Sequence, residues 1–206
     1  MTAVKQKIVP NLWFDRQAEE AANFYASIFG NSRVGNITRA SKAGFETHGL
    51  PEGTVMNIEF AIEGHRFIAI NGGPLFKFNP SISFLVSCKT KDEVDMLWQK
   101  LSVPGAALME IGSYSFSERY GWAQDRYGLS GQLMFVDDRE KKQKITPTLM
   151  FVGGQLGKAK EAVNLYKTVF HNSTIDIMSE IRSAPHKLTP WAKVVGNIIT
   201  YPGNVP

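Results

Sequence analysis

A chain of 206 residues with 43% hydrophobic residues and a net charge of +4 has room for one or two domains and a core of ordinary size. Its positive charge is scattered, and the densest run, Arg139–Lys144, reads as a solvated linker without a nucleic-acid reading motif, so no nucleic-acid partner is expected. The single cysteine, Cys88, excludes an intrachain disulfide, no run approaches the roughly 20 apolar residues of a membrane-spanning helix, and Met1–Lys5 lacks the apolar stretch of a leader, so a cytoplasmic protein with no membrane partner is expected.

Ile8–Phe14 is a short apolar run rich in strand formers, and Pro10 within it points to an edge strand or a strand start. Asp15 is placed to help open a helix. From Ala18 to Phe29, the residues Ala21, Phe24, Tyr25, Ile28 and Phe29 recur at spacings of three and four, which is one apolar helical face. Gly30–Asn31 stops it, with Gly30 suited to a left-handed C-cap. Strands are predicted over Arg33–Ala40, Thr54–Ile62 and His65–Asn71, and Glu63–Gly64 is a tight-turn signal that makes the last two a hairpin. The order is β-α-β-β-β.

Asn71–Gly72–Gly73–Pro74 breaks the chain, and the order recurs. Ser81–Cys88 is a strand in which Cys88 reads as a small core residue. Lys91–Ser102 is a helix with Val94, Leu97, Trp98 and Leu101 on one face. Ala107–Ile111, Tyr120–Asp125 and Ser130–Val136 supply short strands, with Asp125 shaping the turn before Gly128.

A third opening is a sequence repeat. Ile145–Phe151 echoes Ile8–Phe14, Glu161–Tyr166 echoes Glu20–Tyr25, and Phe170–Ile175 echoes Phe29–Val34, in register across one insertion of four residues. After about Glu180 no counterpart of the Thr54–Asn71 hairpin follows. Such a partial module has an open sheet edge and needs a partner surface, from the first domain or another chain; a truncated or shifted reading frame is the alternative explanation. The expected organisation is a complete domain over 7–137, a basic linker over 138–144, a partial repeat of the first βα-β unit over 145–180 and an atypical tail over 181–206.

The motifs Pro10–Asp15, Ala18–Tyr25 with Phe29–Gly30, Ala69–Pro74, Phe76–Asn79 with Ile82–Phe84, and Tyr120–Ser130 resemble the PhnB-like branch of the vicinal-oxygen-chelate, or glyoxalase/bleomycin-resistance, superfamily. The resemblance covers roughly residues 7–136 and again about 144–176. It implies an α+β fold in which paired βαβββ modules form a curved mixed sheet around a cavity, here with a partial third module, and it implies a homodimer. It also brings the description demethylubiquinone methyltransferase-like. Against that activity, no G-x-G turn precedes a helix, and Gly72–Gly73 does not lead into a nucleotide-binding βαβ pattern.

Strand parity sorts the candidate site residues. Met56, Ile58 and Phe60 should face the helices and Val55, Asn57 and Glu59 the concave side; Leu133 and Phe135 should face the helices and Gln132 the cavity. The resemblance implies that Asn57 and Ser81 stand where metal-using members carry histidines, that Gln132 stands where they carry a glutamate, and that Val9 or Asn11 is the fourth position. Neutral amides are poor ligands beside imidazole or carboxylate, so no divalent metal and no other cofactor is expected. His48, His65, His171 and His186 make no pair at metal spacing.

The expected pocket is lined by Trp13, Asn57, Glu59, Tyr120, Trp122 and Gln132, with Glu59 the candidate general base and no other catalytic residue assigned. Two classes of function follow. One is a metal-free protein that binds a small molecule. The other is an enzyme (a lyase, a dioxygenase or a methyltransferase) acting on a small oxygenated metabolite.

Overall fold

The computed structural model describes residues 6–136, 143–171 and 173. The first unit runs β1 (Asn11–Phe14), α1 (Ala18–Ile28), β2 (Arg33–Arg39), α2 (Phe45–His48), β3 (Val55–Ile62) and β4 (His65–Asn71). The second runs β5 (Ile82–Cys88), α3 (Lys91–Leu101), β6 (Ala106–Tyr114), β7 (Ser117–Gln124) and β8 (Ser130–Phe135). The third opening gives β9 (Ile145–Leu149) and α4 (Ala159–Val169). The fold is α+β, as expected, but the strands form two sheets where one curved sheet was expected.

Both sheets follow one topology. The first has the order β1-β4-β3-β2, and the second has β6-β7-β8-β5 with β9 added at its end. In each unit the first strand lies parallel to the last, β1 to β4 and β5 to β8, while the other pairs within the unit are antiparallel. A parallel pair needs a crossover, and the helix after each first strand supplies it. Helix α1 packs on β3 and β4, and α3 on β7 and β8.

Local chemistry explains the boundaries. Pro10 has no N–H to give, so β1 begins after it, at an edge of its sheet. The amide of Ala18 is capped from afar: Asn71 at the end of β4 accepts from it at 2.9 Å through Oδ1, while its Nδ2 donates to the Val55 carbonyl at 2.8 Å. Asp15 therefore does not open α1; the buried Asn71 does, tying β4, α1 and β3 together. The left-handed residue after α1 is Asn31 (φ 42°), not Gly30. Glu63 and Gly64 both have positive φ, 49° and 79°, the geometry of a two-residue hairpin turn. Thr90 caps α3 by accepting from the Glu93 amide at 3.1 Å, and Glu93 reaches back to the Lys89 amide at 2.9 Å. Strands β6 and β7 are longer than expected because three register shifts interrupt the alternation by which a strand is read.

The helix-facing sides of the two sheets share one core. Ile58, Phe60 and Phe67 of the first unit join Phe84, Val86 and Leu133 of the second. Tyr25 stacks on Phe60 at 6.1 Å, and Phe67 meets Phe84 edge-on at 5.4 Å. Cys88 is fully buried here, and burial pushes its thiol up to about 12, leaving it a packing residue.

Strand β9 pairs antiparallel with β5. The Ser87 amide donates to the Lys144 carbonyl at 2.9 Å and the Met150 amide donates to the Ser81 carbonyl at 2.8 Å. Pro147, three residues from each of these, falls in the alternation on the far side, where no N–H is required. On α4 only Val163 is buried; Leu165 is 58% and Val169 57% exposed. Most of the basic linker, the end of the repeat beyond Ser173, the tail 181–206 and His186 lie outside the described residues.

Candidate functional site

The faces turned away from the shared core carry the candidate residues, and each sheet carries its own group. On the second sheet, residues opposed across the strands form rows that share one face. Trp122 opposes Gln132, which opposes Leu85, which opposes Thr146. Tyr120 opposes Met134, which opposes Ser87. Gln124, Ser130, Ser83 and Thr148 make the third row. Leu85, Tyr120, Trp122, Met134 and Val136 are all buried and pack into a second apolar cluster, separate from the shared core.

A hydrogen-bonded chain crosses this face. The Tyr120 hydroxyl donates to Gln132 Oε1 at 2.7 Å, Gln132 Nε2 donates to Ser83 Oγ at 2.7 Å, and Trp122 Nε1 donates to Ser130 Oγ at 2.7 Å. Gln132 is thus held at both ends of its amide. Burial, then the neighbouring Tyr114, raises the proton affinity of the Tyr120 phenol, so it stays a donor. Two further hydroxyls on the face, Ser87 (5% exposed) and Thr146 (3%), make no side-chain hydrogen bond to any described residue. Buried hydroxyls without partners are uncommon, because leaving one unsatisfied costs roughly 1–3 kcal/mol.

On the first sheet, Trp13 opposes Ile70, which opposes Asn57, and Asn11 opposes Ile68, which opposes Glu59. Trp13 and Asn57 are therefore two strands, or about 10 Å, apart. The Trp13 indole donates to the Gly73 carbonyl at 2.9 Å and meets Phe76 edge-on at 5.0 Å. Gly72 lies flat against its ring, where a Cβ would stand 2.2 Å from Trp13 Cζ2. The Glu59 side chain is 40% exposed, 3.9 Å from the Arg66 guanidinium and 3.5 Å from the Asn36 amide. The apolar enclosure that a general base would need does not surround it.

The structure thus brings Tyr120, Trp122 and Gln132 together and sets Trp13, Asn57 and Glu59 along another sheet, with no hydrogen bond, ion pair or ring contact between the two groups among the described residues. It also puts a cavity elsewhere. A void of about 50 Å³ lies in the shared core, walled by Leu12, Tyr25, Phe67, Phe84, Leu133 and Ile145, with Asp125 at its side. Sequence reasoning missed the pair beside it. Tyr25 donates its hydroxyl to Asp125 Oδ2 at 2.6 Å, joining α1 to the second unit, while Asp125 Oδ1 accepts from the amides of Tyr127 (2.9 Å) and Leu129 (3.0 Å). Those two bonds, with Gly128 at φ 84°, make the turn that Asp125 was expected to shape. Burial raises the Asp125 carboxyl, and its hydrogen bonds oppose that rise. Burial also raises Tyr25 well above the usual phenol range, with the Asp125 charge adding to it. The only hint in the sequence was that the repeat keeps a tyrosine here, as Tyr166.

No group of three His, Cys, Asp or Glu stands together at metal-binding distance among the described residues. Gly72–Gly73 follow β4 and lead through a loop to a strand, β5, so no glycine turn opens a helix there for a nucleotide cofactor. No helix of the described residues is long and apolar enough to cross a membrane.

Comparison with known proteins agrees with the motifs. Residues 6–134, more than half of the chain, match the family described as 3-demethylubiquinone-9 3-methyltransferase. A solved structure titled as a putative 3-demethylubiquinone-9 3-methyltransferase, PhnB protein, from Bacillus cereus is 40% identical, with a TM-score of 0.58, over 64% of this chain and 100% of that one. The protein PA1353 from Pseudomonas aeruginosa shares the fold at 19% identity and a TM-score of 0.54, over 65% of this chain and 100% of its own. No curated protein matches. The chain belongs to the 3-demethylubiquinone-9 3-methyltransferase family, and its 40% identity to the Bacillus cereus PhnB protein agrees with the PhnB-like motifs.

Proposed function

We propose that this chain is a metal-free, cytoplasmic small-molecule-binding protein that works as a homodimer, and that its ligand rests on the outer face of the second sheet. The observation that carries the reading is the pair of unpartnered hydroxyls, Ser87 and Thr146, on the same sheet face as the Trp122 indole and the fixed amide of Gln132. Trp122 and Tyr120 lie buried under the cover of this face, so a ligand that displaces the Tyr114–Phe116 cover would meet their apolar rings, with Ser87, Thr146 and the free valences of Gln132 to orient a polar edge. A small, flat, oxygen-bearing molecule fits that chemistry. Trp13, Asn57 and Glu59 form a second, more open surface that a larger ligand would reach.

The donor set does not fit a divalent metal. The Gln132 carbonyl oxygen accepts from Tyr120, and Asn57 and Ser81 bring neither imidazole nor carboxylate. A second reading, an enzyme acting on a small oxygenated metabolite, has the family's own description in its favour. The lack of a G-x-G turn opening a helix (the turn before α4 reads Gly153–Gly154–Gln155–Leu156–Gly157) and the exposure of Glu59 weigh against it.

The test is elemental analysis of protein purified without chelator, then thermal denaturation with nickel, zinc or manganese and with a panel of small aromatic and quinone compounds in chelator. The expected result is no stoichiometric metal, no metal-dependent shift, and a saturable shift with some panel members that Thr146→Val weakens. Near-stoichiometric metal with a metal-dependent rise in Tm overturns the reading in favour of a metalloenzyme.

A further inference from the structure

The two units do not close their shared core completely. Leu12 and Tyr25 of the first unit, Phe84 and Leu133 of the second and Ile145 of β9 leave a void of about 50 Å³ between them. That is roughly three to five times the space that one water requires, and protein interiors hold few voids larger than one water. The wall is almost wholly apolar. The oxygens that border it are already engaged: Asp125 accepts from the Tyr25 hydroxyl and from the amides of Tyr127 and Leu129, and Ser130 Oγ accepts from the Trp122 indole. A water settles in a protein only with roughly two to four polar partners, which this wall does not offer. One stretch of the wall is hollow because its side chains are small. Ala123 of β7 opposes Gly131 of β8, which opposes Phe84 of β5, and all three border the void. A Cβ added at Gly131 would meet nothing within 4 Å, and Gly131 is not in the left-handed region. Neither crowding nor backbone conformation therefore calls for a glycine there; what its missing side chain provides is room.

We propose that this void is a binding site for a small hydrocarbon-like molecule of about two to four heavy atoms. A guest of that kind gains dispersion contacts with side chains that otherwise face empty space, and it gives up no hydrogen bond with water on entering. The size limit follows from the volume. Voids that take up benzene measure about 150 Å³, so an aromatic ring exceeds this one. The guest would touch α1 and β1 on one side, β5, β7 and β8 on the other, and β9 through Ile145, so it would join both units and the third opening at one point. The site is distinct from the outer face of the second sheet. Gly131 and Leu133 border the void, whereas Gln132 between them is turned to the row that holds Trp122, so the two sites stand or fall separately.

The test uses the whole chain, with its methyl groups followed by NMR under increasing pressures of xenon and of cyclopropane, and with benzene in solution. The expected result is a saturable shift of the Leu12, Val86, Leu133 and Ile145 methyls with both gases and none with benzene. Gly131→Ala puts a methyl into the open space. It should fold with an equal or higher Tm, because a glycine is also removed from the unfolded chain. It should weaken xenon binding by at least about tenfold, the scale on which one methylene counts in an apolar pocket. Shifts that grow in proportion to pressure, spread over methyls throughout the chain, overturn the proposal and leave a packing void that takes no guest. A saturable response that Gly131→Ala leaves unchanged overturns it as well, because the guest then sits elsewhere. If Gly131→Ala fails to fold, the wild-type shift pattern decides alone.

Discussion

The two sheets share one strand order, yet their outer faces treat polar residues in opposite ways. On the first sheet Glu59 meets Arg66 and Asn36 at the surface, and Trp13 is only partly covered. On the second, the equivalent face is closed: Tyr114 and Phe116, from the β6–β7 hairpin, lie against the Tyr120 ring at 5.6 and 5.0 Å, and β9 widens the sheet. Topology therefore positions side chains, whereas coverage decides what they can do. A polar group under cover must find a partner or hold a place for one; the same group in water need not.

The largest expected difference between the faces is in their tryptophans. Trp122→Ala should cost about 3–5 kcal/mol in urea unfolding, as for a buried aromatic, and Trp13→Ala less than half of that. Equal losses would mean that the two faces are covered alike. Next comes the hydrogen-bonded chain. Gln132→Leu leaves the buried Tyr120 hydroxyl without its acceptor and should cost about 1–3 kcal/mol, and adding Tyr120→Phe should recover much of it. If the second change is merely additive, the chain is not a unit.

The pH dependence sharpens the contrast further. The folded state raises the Asp125 carboxyl above its usual 3.8, so the folded chain holds this proton more tightly than the unfolded chain does. That contribution to stability is complete below 3.8 and is lost as pH rises through the folded value. Asp125→Asn should abolish this decline in a pH series of melting curves. His65 runs the other way. Burial lowers it from 6.5, so its contribution is present above 6.5 and lost as pH falls, and His65→Gln should flatten that limb. The smallest effect belongs to the open face: Glu59→Gln should change stability by only about 0.2–1 kcal/mol, and less in high salt, because its ion pair is exposed.

Much of this was legible in the chain itself, for a definable reason. The alternation put Ile58 and Phe60 in the core and Asn57 and Glu59 opposite, as a local property of a strand, but it failed at Val55, which was expected beside Asn57 and is buried in the shared core where a register shift falls opposite it. The helix faces of α1 and α3 were readable in the same way. What could not be read was how units meet. Nothing in Tyr25 announces a partner a hundred residues on, and nothing in Ile145–Leu149 says that it will pair with β5 and not with a strand of its own module. The candidate residues were chosen by parity alone, which gives the face but not its cover. Hence Gln132 and Glu59 were predicted for one pocket and stand on two different surfaces.

Pro147 has a consequence for growth. Every open sheet invites another strand, and a chain with two competent edges can add copies without end. Here the end formed by β9 shows Pro147, which cannot donate; the end formed by β2 is broken by register shifts and flanked by Arg33 and Arg39; the end formed by β6 carries three register shifts. Among the described residues, β1 carries no such interruption. The same repeat that lengthens the second sheet therefore also blunts its end, because a strand that meets a proline there finds one hydrogen-bond donor missing.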